Sequence, residues 1–262
     1  TLNGIAVEAN KAALLWGRRA AHDRNAVDRA AGPAAAEPED FATTLEDVVK
    51  RRIDFLTAYQ NEAYARRYKD LVVRVQTAEA HALQGTDALV QTVARYYFKL
   101  LSYKDEYEVA RLHTDTSFLN AVREQFTGDY KLNFHLAPPL TAERDMDTGR
   151  MIKKAYGPWM LRVFGVMAKL KFLRGTAWDP FGRSDERRQE RTLITEYEAV
   201  IEELLAGLTP ANHAVAVEIA EIPEHIRGYG HVKDRHIADA KANEAALLTR
   251  FRDPDQQADA AD

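Results

Sequence analysis

Chemistry on this chain has to be built from carboxylates, histidines and hydroxyls, because its 262 residues include no cysteine. That removes cysteine nucleophiles, disulfides, thiolate zinc sites and cysteine-ligated iron–sulfur clusters from within the sequence. The densest group of candidates is YKDEYEVARL, Tyr103 to Leu112, where Asp105, Glu106 and Glu108 stand among Lys104, Arg111 and two tyrosines. Neighbouring carboxylates are the residue types of general acid–base catalysis, and equally those of a solvated helix face. A second group is EHIRGYGHVKDRH, Glu224 to His236. Its histidines at 225, 231 and 236 are six and five residues apart, whereas two helical histidines on one metal stand four apart. A structural or surface role suits them better. His135 is the third, alternating with Phe134 and Leu136 just ahead of Pro138-Pro139. A stiff extended segment can hold a general acid or base, although a packed histidine donating one hydrogen bond is the commoner use. Glu106, His135, Arg227, His231 and Lys233 together form the candidate polar site, and nothing in the sequence says whether they meet. Gly228-x-Gly230 is too short for a dinucleotide loop, and no serine sits in a G-x-S-x-G elbow.

The elements that must position these residues are mostly helical. Residues 4–21 read as a short helix, and RNAVDRAAGPAAAEPED after it as a linker over 24–40. Thr43 and Glu46 make a capping box, followed by helical spacing at Leu45, Val49, Ile53 and Leu56 and on to about Leu83 with a break. Gly85-Thr86-Asp87 closes one helix and caps the next. There Leu89, Val93, Tyr96, Leu100, Tyr103, Tyr107 and Ala110 recur as one apolar stripe running through the quoted stretch. At 100° per residue this places Asp105 opposite the stripe in water. Lys104, Glu108 and Arg111 fall on one flank, as pairs contributing about 0.2–0.5 kcal/mol each. Only Glu106 borders the stripe. KLNFHLAPPL predicts a short extended or β segment in an irregular insert around 127–150, with a turn at Asp147-Thr148-Gly149. Helix resumes after Gly157-Pro158 with a core stripe of Trp159, Val163, Val166, Leu170 and Leu173, and stops at Gly175. The tryptophans of GPWM and WDPFG read as helix anchors. Ser184 caps a helix with the stripe Leu193, Tyr197, Val200 and Leu204, ending at Gly207. A shorter helix runs from Thr209-Pro210 to Ile219, closed by Pro223. A last helix carries Ile237, Ala240, Leu247 and Phe251, and the tail from 253 reads as disordered. The sum is a mostly α protein of eight or nine helices, with a multi-helix domain over 41–252.

Composition bounds the function. A net charge of −4, 46% hydrophobic and 29% charged residues fit a soluble globular protein. Mild acidity gives no basic surface for nucleic acid, and Arg187-Arg188 sit among Asp185, Glu186 and Glu190. The most apolar stretch, 159–173, contains Arg162, Lys169 and Lys171 and falls short of the ~20 apolar residues of a membrane span. The lack of cysteine favours a cytoplasmic location, and residues 1–10 lack the pattern of a signal peptide.

Several stretches taken together carry a resemblance. LNGIAVEANKAALLWGRRAAHD, YKDEYEVARLHTD, FHLAPPL, YGPWM, LRGTAWDPFGRSDERRQER and IRGYGHVK, in this order, resemble the carboxyl-terminal part of fused bacterial indolepyruvate ferredoxin oxidoreductases, of the 2-oxoacid:ferredoxin oxidoreductase family. The resemblance implies that residues 1–23 end a gamma-type domain, that a helical domain of undefined role follows, and that the chain is part of a longer polypeptide. It implies a parent reaction of oxidative decarboxylation of aryl pyruvates to aryl acetyl-coenzyme A, with thiamine diphosphate, magnesium and iron–sulfur clusters in the parent and electrons passed to ferredoxin. It implies as partners the catalytic domains of the same polypeptide, ferredoxin and a homo-oligomer of the parent; the composition adds neither nucleic acid nor membrane. The Gly-Asp-Gly motif that opens diphosphate binding in such enzymes is missing, since Gly128-Asp129-Tyr130 does not supply it. No catalytic, cofactor or metal residue therefore carries over, and this segment is expected to be inactive alone.

Overall fold

The computed structural model describes residues 7–31, 44–126, 128–137 and 152–253. The Thr43–Glu46 capping box, Pro138-Pro139, the 147–149 turn and the tail beyond 253 lie outside them. The chain divides into two compact units, 1–44 and 45–262.

In the first unit, α1 (Val7–His22) matches the expected helix and α2 (Arg24–Ala31) follows after Asp23. The expected linker therefore begins with a helix. RNAVDRAA carries three alanines and two arginines, which favour helix, and Asp23 caps it by accepting from the Ala26 N–H at 2.9 Å. Arg19 lies over the Trp16 ring in α1, 5.0 Å from its centroid.

The second unit holds α3 (Leu45–Tyr59), α4 (Glu62–Ala82), α5 (Ala88–Leu101), α6 (Glu106–Thr114), α7 (Thr116–Gln125), β1 (Phe134–Leu136), β2 (Lys154–Tyr156), α8 (Met160–Lys169), α9 (Asp185–Gly207), α10 (His213–Glu221) and α11 (His231–Arg252). The described residues thus form a mostly helical protein whose sheet is one antiparallel strand pair, with Phe134 opposite Tyr156 and Leu136 opposite Lys154. The eleven α-helices of the described residues exceed the eight or nine expected for the chain, partly because two chain breaks were invisible to the apolar period. One falls at Ser102–Asp105 and the other at Asp115.

Most of the core lies between α3, α4, α5, α9, α10 and α11 and is filled by aliphatic side chains and buried tyrosines. Tyr68, Tyr97 and Tyr197 stack successively, with centroids 5.9 and 6.0 Å apart. Tyrosine hydroxyls find backbone acceptors: Tyr59 donates to the Tyr103 carbonyl at 2.8 Å, Tyr64 to Leu101 at 2.9 Å and Tyr197 to Ala220 at 3.0 Å. Burial holds the phenols of Tyr59, Tyr97 and Tyr197 far above their ordinary range, so they remain donors at any physiological pH.

A second, smaller core joins α6, β1 and α8 through Ala110, Phe134, Met160 and Phe164. His113 packs among it, its ring 5.1 Å from Phe164 and 5.3 Å from Phe134. Here the structure corrects the sequence. The buried face of α8 is Met160 and Phe164 with Met167 and Ala168, while Trp159, Val163, Val166 and Leu170 point outward. MLRVFGVMAK is apolar on nearly every side, so its period allows two stripes. The ring contacts of Phe164 with His113 and Phe134 are made on the second of them.

Candidate functional site

The site begins where the single expected helix breaks. Helix α5 ends at Leu101, the Ser102 hydroxyl turns back to the Phe98 carbonyl at 2.7 Å, and α6 starts afresh with Asp105 as its N-cap. Asp105 accepts from the Glu108 N–H at 2.8 Å. It is buried rather than solvated, because Arg174 forks onto it from the loop after α8. The guanidinium donates Nε to Oδ2 at 2.5 Å and Nη2 to Oδ1 at 2.9 Å. It also donates to the Tyr59 carbonyl and to Gln60 Oε1, each at 2.7 Å, and lies 3.7 Å over the Tyr59 ring. Burial pulls the Arg174 pKa down, but the hydrogen-bonded Asp105 carboxylate carries it above the ordinary arginine value.

The same loop docks a second time. Asp179 accepts from Tyr107 Oη at 3.1 Å, from the Gly175 N–H at 2.8 Å and from the Phe181 N–H at 3.1 Å. Gly182 is required by closeness, since a Cβ there would sit 2.3 Å from Asp179 Oδ2. Glu108, expected in a solvated pair, is buried while it bonds Arg111 at 2.7 and 2.8 Å. Its expected partner Lys104 makes no such bond among the described residues.

Glu106 remains at the edge of a cleft of about 470 Å³. The floor is Leu100, Tyr103, Leu193, Pro223 and Ile226. Five cations line it, Lys99, Lys104, Arg187, Arg227 and Lys233, against three carboxylates, Glu106, Glu186 and Glu190. Lys233 pairs with Glu190 at 2.5 Å and Arg187 with Glu106 Oε1 at 3.4 Å. Glu106 Oε2 is buried without a protein hydrogen-bond partner. Lys99 Nζ donates to the Pro223 carbonyl at 2.7 Å, and burial, then Arg227 and Lys233, hold its pKa below the ordinary lysine value. The wall at Arg227–Lys233 turns at Gly228, φ 91°, where a Cβ would come 3.0 Å from Val232 Cγ1. His236 fixes that turn by donating Nδ1–H to the Arg227 carbonyl at 2.8 Å.

The structure therefore brings Glu106, Arg227 and Lys233 to one cleft. It does not bring His231, which is exposed at the start of α11, or His135, which is exposed on β1 opposite Ala155. Among the described residues, no three of His, Asp or Glu stand together as a metal site. No described helix is long and apolar enough to cross a membrane.

Sequence reasoning missed a further buried acid. Glu79 of α4 accepts the Leu89 and Val90 N–H groups at 2.8 Å each, capping α5 in place of Asp87, and takes a bond from His213 Nε2 at 2.7 Å. Nothing local in the sequence marks that pairing. The break at Asp105 did carry a signal, because Asp105 and Glu108 have capping-box spacing.

No curated protein and no solved structure matches this chain. One family model does match, over residues 45–246, which begins where the second compact unit begins. The chain thus belongs to DUF6537, a family of unknown function.

Proposed function

We propose that this chain is the helical carboxyl-terminal portion of an indolepyruvate-type 2-oxoacid:ferredoxin oxidoreductase, and that within the enzyme it serves as a structural and docking module without chemistry of its own. One observation carries the structural half. Two of the stretches behind the family resemblance, 103–115 and 173–191, are used against each other, Asp105 on Arg174, Tyr107 on Asp179 and Glu106 on Arg187. Groups that could have acted as acid, base or anion holder are thus committed to closing a loop onto a helix start. Thiamine diphosphate, magnesium and iron–sulfur clusters belong, in this reading, to other parts of the parent. The residues here do not fit a thiolate-ligated cluster, since the chain has no cysteine. The purified chain should show neither iron–sulfur absorbance nor thiamine-dependent decarboxylation of indolepyruvate. Removing residues 45–252 from the intact oxidoreductase should impair its assembly or its electron transfer to ferredoxin. A coloured, active chain, or a deleted enzyme of unchanged size and ferredoxin kinetics, refutes the proposal.

The cleft favours a second reading, in which the module holds a ligand of its own. Five cations over an apolar floor suit an anion with an apolar body. Calorimetric titration of the chain with coenzyme A and with an aryl acetate tests this. Binding lost on Arg227→Ala supports it, and no heat with either compound ends it.

A further inference from the structure

The outward face of α8 is apolar and exposed. Trp159, Val163, Val166 and Leu170 follow one another at steps of four, three and four, and their side chains are 57, 37, 61 and 36% exposed. The opposite face of the helix is already spent on α6 and β1 through Met160 and Phe164. A helix apolar on both sides is normally covered on both, and aliphatic side chains in a helical ridge are what a partner groove or helix reads. Beyond the end of α8, Phe172 and Trp178 are exposed as well, at 61 and 81%.

Charge identifies the kind of partner. From 152 to 178 the sequence has six cations, Lys153, Lys154, Arg162, Lys169, Lys171 and Arg174, and no Asp or Glu. Arg174 is spent on Asp105 and Lys171 on the Thr57 and Ala58 carbonyls, so Arg162 and Lys169 are the cations of α8 that a partner meets. Counting 100° per residue, Arg162 and Lys169 lie along one flank of the ridge. Both are exposed, and neither makes an ion pair with a described residue. We infer that this face docks a protein surface made of an apolar helix or groove edged by carboxylates. A second copy meeting it across an antiparallel two-fold axis would set Arg162 and Lys169 against their own counterparts. An anionic bilayer fits less well. With +6 in this stretch and −4 overall, the remaining residues carry −10 and would be repelled by it, whereas a protein edge answers only the local strip.

The test uses the full chain and two labelled amphipathic helical peptides. Both carry a leucine stripe, one flanked by glutamates and the other by lysines. Anisotropy should show the glutamate peptide binding roughly tenfold tighter at low salt, with the advantage shrinking near about 0.5 M salt. Val166→Glu should abolish binding, and Arg162→Glu with Lys169→Glu should reverse the preference, with circular dichroism unchanged because all three positions are exposed. Equal binding of both peptides, binding of neither, or binding that survives Val166→Glu overturns the inference. So does Val166-dependent sedimentation with phosphatidylglycerol vesicles, or a dimer dissolved by Val166→Glu.

Discussion

Arg174→Met gives the sharpest test of how the unit is held together. The side chains of Arg174 and Asp105 are 5 and 4% exposed, so the pair was fully desolvated on folding. Removing the guanidinium leaves the Asp105 carboxylate buried with one remaining donor, the Glu108 N–H, and takes one donor each from the Tyr59 carbonyl and Gln60. Methionine refills much of the volume, so the cost is electrostatic rather than a cavity. Breaking a buried pair from one side costs about 3–5 kcal/mol. For a domain of roughly 150–250 residues that converts at about 2–4 °C per kcal/mol, a fall in Tm of about 6–20 °C. Thermal unfolding followed by circular dichroism reads it directly. Arg174→Lys keeps the charge but not the fork and should fall between the two. Adding Asp105→Asn to Arg174→Met should recover part of the loss, because the stranded charge is gone. A single variant within about 2 °C of the parent, or a double variant equal to the sum of the two singles, refutes the argument that this pair closes the loop onto α6.

Three further outcomes follow from the same reasoning. Glu79→Ala strands the Leu89 and Val90 N–H groups and His213 Nε2 together, so it should cost about 2–4 kcal/mol in denaturant unfolding and fray the start of α5 in hydrogen exchange. Gly182→Ala drives a methyl group into Asp179 and should cost about 1–3 kcal/mol, with faster proteolysis of the 175–184 loop as the second readout. Burial and then Lys104 hold the His113 pKa below the ordinary histidine value. The unfolded chain therefore takes up a proton first as pH falls below about 6.5. The stability His113 supports is complete above that pH and is lost beneath it. The difference in Tm between pH 7.5 and pH 5.5 should shrink in His113→Phe, and an unchanged difference would remove His113 as a contributor.

Much of the fold was legible because one-face burial imposes a helical period. The stripes of α5 and α9 were read correctly at Leu89, Val93, Leu193, Tyr197 and Leu204, all buried, and the Ser184 cap is in place, its oxygen accepting the Arg187 N–H at 3.3 Å. The period failed where apolar residues outnumber the positions a neighbour covers, as on α8. It also failed where a chain turns without changing its apolar spacing. Tyr103 and Tyr107 continue the α5 count arithmetically, yet they belong to a loop and a new helix. That error put Asp105 in water when it is the most enclosed carboxylate of the stretch. Of the candidate site, Glu106, Arg227 and Lys233 were placed together by long-range packing that no local pattern encodes. The histidines at 135 and 231 were singled out for their chemistry, and the fold leaves both at the surface.

The contact between the Tyr103–Leu112 stretch and the loop after α8 bears on how a family resemblance should be read. Asp105, Tyr107, Arg174 and Asp179 satisfy one another across some seventy residues of sequence, and none can change alone without stranding a buried polar group. Such residues mark a fold, and they are poor guides to activity. Function in this module has to be sought among polar and apolar groups that the fold does not consume. Those are Lys104 and the open oxygen of Glu106 in the cleft, and the outward ridge of α8 with Arg162 and Lys169 beside it. Substitutions there should leave unfolding unchanged while altering what the chain binds, and substitutions in the Asp105–Arg174 brace should do the reverse.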